Sequence, residues 1–156
     1  MVIKKILDKS VDSAAAVSLF CVFIVTLAQV VSRYVFQLNI PWSTDVIRIA
    51  FIYAIFFGAT IGFREKGNLN IDLLFSLLGN RHRMFLSIFI NVIIGAFLIF
   101  LVVKGMQFAI NSGAQYLPYL QVPISALYIA IPLNAFFMLY YLAYHIMEQL
   151  TELKKA

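Results

Sequence analysis

Long apolar segments separated by short polar stretches dominate the chain. Four of these segments contain no acidic residue, and they occupy Ala14–Phe36, Val46–Phe63, Met84–Val103 and Ile124–Ile146. Ser13–Ser32 and Met84–Val103 have no formal charge at all, and a helix of about 20 apolar residues crosses a hydrocarbon core. The second segment reaches a comparable length if the charge of Arg48 extends toward the headgroups. The pattern predicts four transmembrane helices.

Composition supports a membrane protein of the all-α class. Hydrophobic residues make up 63% of the chain, charged residues 12%, and the mean hydropathy is +0.93, outside the range of soluble domains. Four spans and short connections leave no room for a second domain, so we expect residues 1–156 to form a single four-helix membrane domain. The basic start resembles that of a signal peptide, but the apolar run is too long, and we expect a retained first helix.

The basic residues are unequally divided among the connections, and this predicts the orientation of the chain. They precede span one, lie between spans two and three, and follow span four, whereas the connections at 37–45 and 112–123 have none. By the positive-inside rule, both termini and the middle connection are predicted to be cytoplasmic. These charges are spread along a membrane surface and do not gather on one face, so we expect no nucleic-acid partner.

The connection between spans two and three contains a predicted interfacial amphipathic helix at Asn70–Asn80. Polar residues recur at four-residue spacing on one side, and apolar residues fill the other. Asp72 suits the N-terminal end of the helix dipole, while Arg81 and Arg83 would lie among anionic headgroups. We predict that these three residues form an inner interfacial anchor. A solvated connecting loop is the alternative.

Small and polar residues within the spans predict helix faces that contact protein. Two stripes occur at four-residue spacing: Ala54, Gly58 and Gly62 on span two, and Ser87, Asn91 and Gly95 on span three. Such stripes let another helix backbone approach closely. Packing within the four-helix unit and contact with a partner subunit explain them equally well, so both interpretations remain open.

A polar cluster marks the predicted outer ends of spans one and two, and it consists of Arg33, Trp42, Asp45 and Arg48. Trp42 suits an interfacial anchor. Asp45 suits the first turn of a helix and can pair with Arg48 on the same face. A surface pair contributes less than about 1 kcal/mol, so we interpret the cluster as a contact site for lipid phosphate, a second membrane subunit or an outside protein. Simple snorkelling is the alternative.

The residue patterns argue against catalysis. The four predicted segments contain no carboxylate of the kind that proton-coupled pumps bury. His82 and His145 are not placed as facing haem ligands, and Cys21 is the single cysteine. No metalloprotease, nucleotide-binding or nucleophile-elbow motif occurs. We therefore predict no enzyme activity and no catalytic, substrate-binding or metal-binding residue in this chain.

Four motifs follow one another along the chain: QVVSRYVF from Gln29, PWSTDVIR from Pro41, FFGATIGFREKGNLNIDLL from Phe56, and LPYLQVPISALYIAIPLNAF from Leu117. Their order resembles the small membrane subunit, or Q subunit, of tripartite ATP-independent periplasmic (TRAP) transporters, over nearly the whole chain. Where that family has Trp, an acidic pair and Arg, this chain has Thr44 in place of one acid. The histidine that the family commonly carries in the middle connection has no counterpart here.

The resemblance implies a supporting role in transport of organic anions, of the sialic acid or C4-dicarboxylate class, with sialic acid slightly favoured. In this family a periplasmic protein captures the substrate, and a large membrane subunit binds substrate and Na+ and moves as an elevator. The small subunit supports that machine. The implied partners of this chain are the large subunit, the periplasmic binding protein and membrane lipids, and the implied location is the bacterial inner membrane. No cofactor is expected in this chain, although the outer cluster allows a bound phospholipid.

Two other functions remain open on the residues alone. One is a self-sufficient small transporter or channel that works as a homo-oligomer, with Arg33, Lys104 or Asn91 lining an anion path. The lack of a central charge argues against it. The other is an anchor subunit of an unrelated membrane complex.

Overall fold

Helices make up the described structure. The computed structural model describes the backbone of residues 2–66 and 80–153, and the side chains of residues 4–65 and 88–147. The helices are α1 (Val2–Tyr34), α2 (Trp42–Lys66), α3 (Asn80–Asn111), α4 (Ser125–Tyr128) and α5 (Ala130–Leu153), and a 3-10 turn at Ser112–Ala114 follows α3. These ranges contain no β-strand, only an isolated bridge between Tyr116 and Pro123. The predicted all-α class is confirmed.

Four stretches are long and apolar enough to cross a membrane, as predicted: Lys4–Tyr34, Trp42–Glu65, Ile88–Ala114 and Ser125–Met147. The last of them combines α4 and α5. The first helix begins well before the apolar segment that was predicted as span one, because a helix can continue beyond the hydrocarbon core of the membrane. Asp8 and Asp12 therefore belong to α1. The first span lacks acidic residues only within its predicted bounds.

The helices pack in an open row. α1 lies along α2, α2 packs on α5, and α5 packs on α3, whereas α1 and α3 make no comparable contact with each other. Burial agrees with this order, since Ser125–Met147 is the most buried of the four stretches and Lys4–Tyr34 the least. The four spans therefore form a layer with two broad faces, and α1 and α3 are its edges.

The buried hydrophobic core lies between α3 and α5. Leu98, Ala135 and Leu142 are buried in their shared core. Gly105 allows the close approach, because a Cβ atom there would lie 3.1 Å from Pro132 Cδ. Pro132 itself is tolerated in the first turn of α5, where its missing N–H has no partner within the helix.

The predicted interfacial helix at Asn70–Asn80 lies outside the described residues, except for Asn80, which is the first residue of α3. The side chains of Asp72, Arg81 and Arg83 lie outside them as well. The inner interfacial anchor therefore stays a prediction.

Candidate functional site

The connection between α3 and α4 folds as a tight hairpin at residues 115–124, here called the outer hairpin after the orientation that the basic residues predict. The Ile124 N–H donates to the Gln115 carbonyl at 2.8 Å, and the Leu117 N–H donates to the Val122 carbonyl at 2.9 Å. Gln121 has a φ of 53°, in the left-handed region that lets the chain reverse. Leu117 is 1% exposed and anchors the hairpin on the helices.

Asp45, in the first turn of α2, holds the outer hairpin. Its Oδ2 atom accepts hydrogen bonds from the backbone N–H groups of Tyr119 at 2.9 Å and Leu120 at 3.0 Å. Asp45 is only 1% exposed. Burial removes water from the carboxylate, and the two N–H groups replace part of that hydration. Asp45 is therefore an internal connection between α2 and a loop distant in sequence.

Asp45 and Arg48, whose spacing allows an ion pair, do not form one among the described side chains. Among the described side chains, the ion pairs within 4.0 Å all involve Arg64, and Arg48 is exposed. Two fixed backbone donors hold a buried carboxylate more strongly than a flexible surface guanidinium does. Asp45 consequently does not belong to the outer surface. Arg33, Trp42 and Arg48 are exposed, as a contact role would require, and that role stays a prediction.

A charged cluster joins three helices at the opposite end of the spans and is here called the inner cluster, after the same predicted orientation: Asp8 and Asp12 of α1, Arg64 of α2 and Tyr141 of α5. The Arg64 Nη2 atom donates to Asp12 Oδ1 at 2.8 Å, and its Nη1 atom lies 3.6 Å from Asp8 Oδ1. The Tyr141 hydroxyl donates to the same Asp8 oxygen at 2.7 Å. Asp12 is half exposed, so water weakens its pair. Sequence reasoning missed this cluster, although the four-residue spacing of Asp8 and Asp12 places both on one helix face.

A buried polar contact joins α2 to α5 between the two ends. Thr60 and Asn134 are both 0% exposed. The Thr60 hydroxyl lies 3.0 Å from Asn134 Oδ1, and Asn134 Nδ2 donates to the Ala130 carbonyl at 2.8 Å. Within a bilayer, such interhelical hydrogen bonds contribute about 0.6 kcal/mol on average. The contact fixes the register of α2 on α5. Sequence reasoning missed it, although an asparagine in an otherwise apolar helix was an available signal.

The two small-residue stripes differ in what they contact. On α3, a Cβ atom at Gly95 would touch Leu142 at 3.4 Å, so packing within the chain accounts for that position. Asn91 is half-buried, and the side chain of Ser87 lies outside the described residues. On α2, a Cβ atom at Gly58 or Gly62 would meet no atom within 4 Å.

Ala54 and Gly58 line an open groove of about 380 Å³ between α1 and α2. Most of its lining is contributed by small or aliphatic residues of the two helices, and its charged end is formed by Asp12, Arg64 and Glu65. The described helices leave this groove uncovered. The α2 stripe is therefore available to a contact from outside the chain.

The described residues do not surround an anion path within one chain. Arg33 lies on α1, while Lys104 and Asn91 lie on α3 at the other edge of the row. The Lys104 ammonium donates to Gln107 Oε1 on its own helix at 3.1 Å. No three or more His, Cys, Asp or Glu residues of the described part are placed to hold a metal ion.

These features define a multi-pass membrane protein. The buried polar side chains described above link one helix to another helix or to a loop. A comparison with family models then gives its class. The family of tripartite ATP-independent periplasmic transporters, DctQ component, matches residues 22–152. The chain belongs to this family. It is a small permease subunit of a TRAP transporter, a component of a transport system and not an enzyme.

Two relatives from Haemophilus influenzae agree with this assignment. One, provisionally named a TRAP transporter small permease protein, is 27% identical over 135 residues, which cover 86% of this chain and 82% of the relative. The other is the sialic acid TRAP transporter permease protein SiaT, 24% identical over 90 residues, which cover 58% of this chain and 15% of SiaT. Family and spans together make the chain a multi-pass protein of the inner membrane.

Proposed function

We propose that this chain braces the scaffold of a large elevator subunit in a sodium-coupled TRAP transporter for organic anions. Family membership supports the proposal, and one structural observation carries it: the described residues place no atom within 4 Å of a Cβ atom at Gly58 or Gly62 on α2. Small residues let helix backbones approach closely in a bilayer. A helix of the large subunit can pack along this face and hold the two subunits together.

A fixed position in the membrane suits such a brace. Trp42, Arg33 and Arg48 are exposed at one end of the spans, and the inner cluster ties α1, α2 and α5 at the other. Interfacial aromatic and basic side chains resist displacement across the bilayer. A domain that slides through lipid needs such a stationary neighbour.

The orientation of the brace follows from its charges. Both termini and the connection at 67–79 face the cytoplasm in this proposal, and the outer hairpin faces the periplasm, because the basic residues favour the cytoplasmic side. The outer end also helps to dock the substrate-loaded periplasmic binding protein. Arg33 and Arg48 are the exposed charges available there, to the binding protein or to lipid phosphate of a bound phospholipid.

The substrate class is that of sialic acid or C4-dicarboxylates. Sialic acid is slightly favoured, because the relative SiaT is named for it. In this proposal substrate and Na+ bind to the large subunit, and this chain contributes no ligand to either. Its contribution to transport is mechanical.

Reconstitution tests the proposal directly. Proteoliposomes would contain this subunit alone, the large subunit alone, or both, with the soluble binding protein outside. Uptake of sialic acid and of C4-dicarboxylates would be measured under an inward Na+ gradient, with K+ replacing Na+ as the control. We expect uptake only with all three proteins and Na+. Uptake by this chain alone would instead identify a self-sufficient transporter.

A further inference from the structure

The groove between α1 and α2, here called the α1–α2 groove, has small residues on both walls. Ala15 and Ala16 line it from α1, and Ala54 and Gly58 line it from α2. Along α2 its lining extends from Ala54 to Glu65, which is about 16 Å, or about three turns of helix. Small residues on two adjacent helices leave room for the backbone of a third helix. An acyl chain does not require them, because it packs as well against larger apolar side chains.

Carboxylates outnumber cations at the charged end of the groove. Three carboxylates share the guanidinium of Arg64: Asp12 at 2.8 Å, Glu65 at 3.5 Å and Asp8 at 3.6 Å. No other basic group of the described side chains forms an ion pair with them, and the Lys4 ammonium lies over an aromatic ring. The side chains of Asp12 and Glu65 are 49% and 66% exposed. A cation from outside the described residues can therefore reach both.

We propose that the α1–α2 groove receives a transmembrane helix of the large subunit, and that this helix carries a lysine or arginine at its cytoplasmic end. The inference rests on the proposed function and deepens it in two respects. α1 provides half of the contact, and the partner contributes a cation that bonds to Asp12 and Glu65. Charged groups in membrane proteins pair with one another. Complementary charges also fix the register of an interface, so the carboxylates set the position of the partner helix along α2.

Charge distinguishes this partner from the other neighbours that could occupy the groove. An acyl chain leaves the carboxylates unpaired, and a phospholipid headgroup brings a negative phosphate toward them, which they repel. A second copy of this chain, related by a two-fold axis along the membrane normal, presents the same groove face. The carboxylates of the two copies would then face each other, which is unfavourable. A helix with a basic side chain satisfies both the shape and the charge of the groove.

Photo-crosslinking in the complex of both membrane subunits tests which neighbour occupies the groove. Leu19 lines it and is 63% exposed. Replacement of Leu19 by p-benzoylphenylalanine should give a cross-link to the large subunit, in a transmembrane helix that has a lysine or arginine at its cytoplasmic end. Val17 is the matched control, because it is 67% exposed and lies two residues away, on the opposite side of α1. The same replacement there should give a several-fold lower yield.

A charge reversal tests the cation. Glu65→Lys should raise the dissociation constant of the two purified subunits in detergent by about tenfold, because an attraction becomes a repulsion. The thermal stability of the isolated subunit should stay unchanged, since the Glu65 side chain is 66% exposed. Lys5→Glu, at an exposed lysine of the same end, is the control and should not raise the constant. Reversing the charge of the basic residue found by cross-linking should restore binding to the Glu65→Lys variant.

Other outcomes overturn the proposal. Cross-links from position 19 that reach only phospholipid, a second copy of this chain or its own residues 67–79 would identify a different occupant. A cross-link to the large subunit combined with an unchanged dissociation constant for Glu65→Lys would remove the cation. In these cases the proposed function stands, because uptake that requires all three proteins and Na+ does not depend on this groove. Uptake by this chain alone would instead remove the proposed function and this inference together.

Discussion

At the scale of residues, the burial of a few polar side chains decides how the helices are connected. Asp45 lies where a helix begins, and its carboxylate could have paired with a neighbour on the same helix or bonded to another segment. It is bonded to the backbone of the outer hairpin, 74 and 75 residues away in sequence. Hydrogen bonds to a charged group contribute more to stability than neutral ones. The residue therefore acts as a connection across the fold.

Replacing Asp45 tests this role on the subunit itself. Asp45→Ala leaves two N–H groups without their acceptor, and we expect a loss of roughly 3–6 kcal/mol, since each of the two hydrogen bonds to the charged group contributes about 1.5–3 kcal/mol. Thermal unfolding in detergent would measure it. Arg48→Ala is the control and should change stability by less than about 0.5 kcal/mol, as for most exposed sites. Equal losses for the two variants would instead indicate an ion pair between Asp45 and Arg48, which would contradict the structure.

Thr60 and Asn134 show the same principle within the hydrocarbon region. Neither is charged, and each has a partner on its own helix as well as the contact between helices. The packing of α2 on α5 would otherwise rest on apolar surfaces, which allow several registers with similar energy. A single polar contact selects one of them.

At the scale of elements, α2 is the helix that connects the two ends of the fold. It contacts α1 and α5, holds the outer hairpin through Asp45, and contributes Arg64 to the inner cluster. A Cβ atom at Gly58 or Gly62 in its stripe would nevertheless meet no atom of the described residues within 4 Å. The same spacing on α3 is accounted for internally at Gly95. Two stripes with one sequence pattern thus have different environments.

This difference predicts opposite effects of bulky substitutions. Gly58→Leu with Gly62→Leu should leave the stability of the isolated subunit nearly unchanged but reduce co-purification with the large subunit several-fold, because the leucines fill the space that a partner helix needs. Gly105→Leu is the contrasting control and should lower the thermal stability of the isolated subunit, since Pro132 lies 3.1 Å from a Cβ atom at that glycine. Unchanged co-purification of the Gly58 and Gly62 variant would contradict a contact on this face.

At the scale of the whole molecule, the spans form an open row and not a closed bundle. A closed four-helix bundle buries the apolar faces of its helices against one another, whereas this row leaves two broad faces for lipid or other subunits. Many large apolar residues of α1 and α3 are exposed accordingly. For a component of a tripartite transporter, such a layer provides a large contact area from a short chain.

The orientation of this row can be measured with cysteine labelling. In a Cys21→Ala background, Gln121→Cys should react with a membrane-impermeant maleimide added to intact spheroplasts, because the proposed orientation places the outer hairpin in the periplasm. Lys5→Cys should react only in inside-out vesicles, because the proposed orientation places the start of α1 in the cytoplasm. Labelling with the two accessibilities reversed would overturn the orientation that the basic residues predict.

The sequence by itself determined the class, the four spans and the resemblance to TRAP small subunits. Hydrophobic length is a property of consecutive residues, so it can be counted along the chain, and the ordered motifs indicated the family that residues 22–152 match. The same local reasoning placed Trp42, Arg33 and Arg48 at an exposed end. Each of these conclusions depends on neighbours in sequence.

Only the tertiary structure decided which polar groups meet. Asp45 bonds to Tyr119 and Leu120, and Thr60 lies against Asn134, at separations for which no local pattern gives a partner. The small-residue stripe of α2 is open, whereas that of α3 is covered at Gly95. This difference likewise depends on which helices are adjacent in the row. Helix order is set by side-chain packing between distant segments, and all four spans are apolar enough that their sequences do not specify it. The tertiary structure, and not the hydrophobic pattern, therefore decides which helices and which polar groups contact each other.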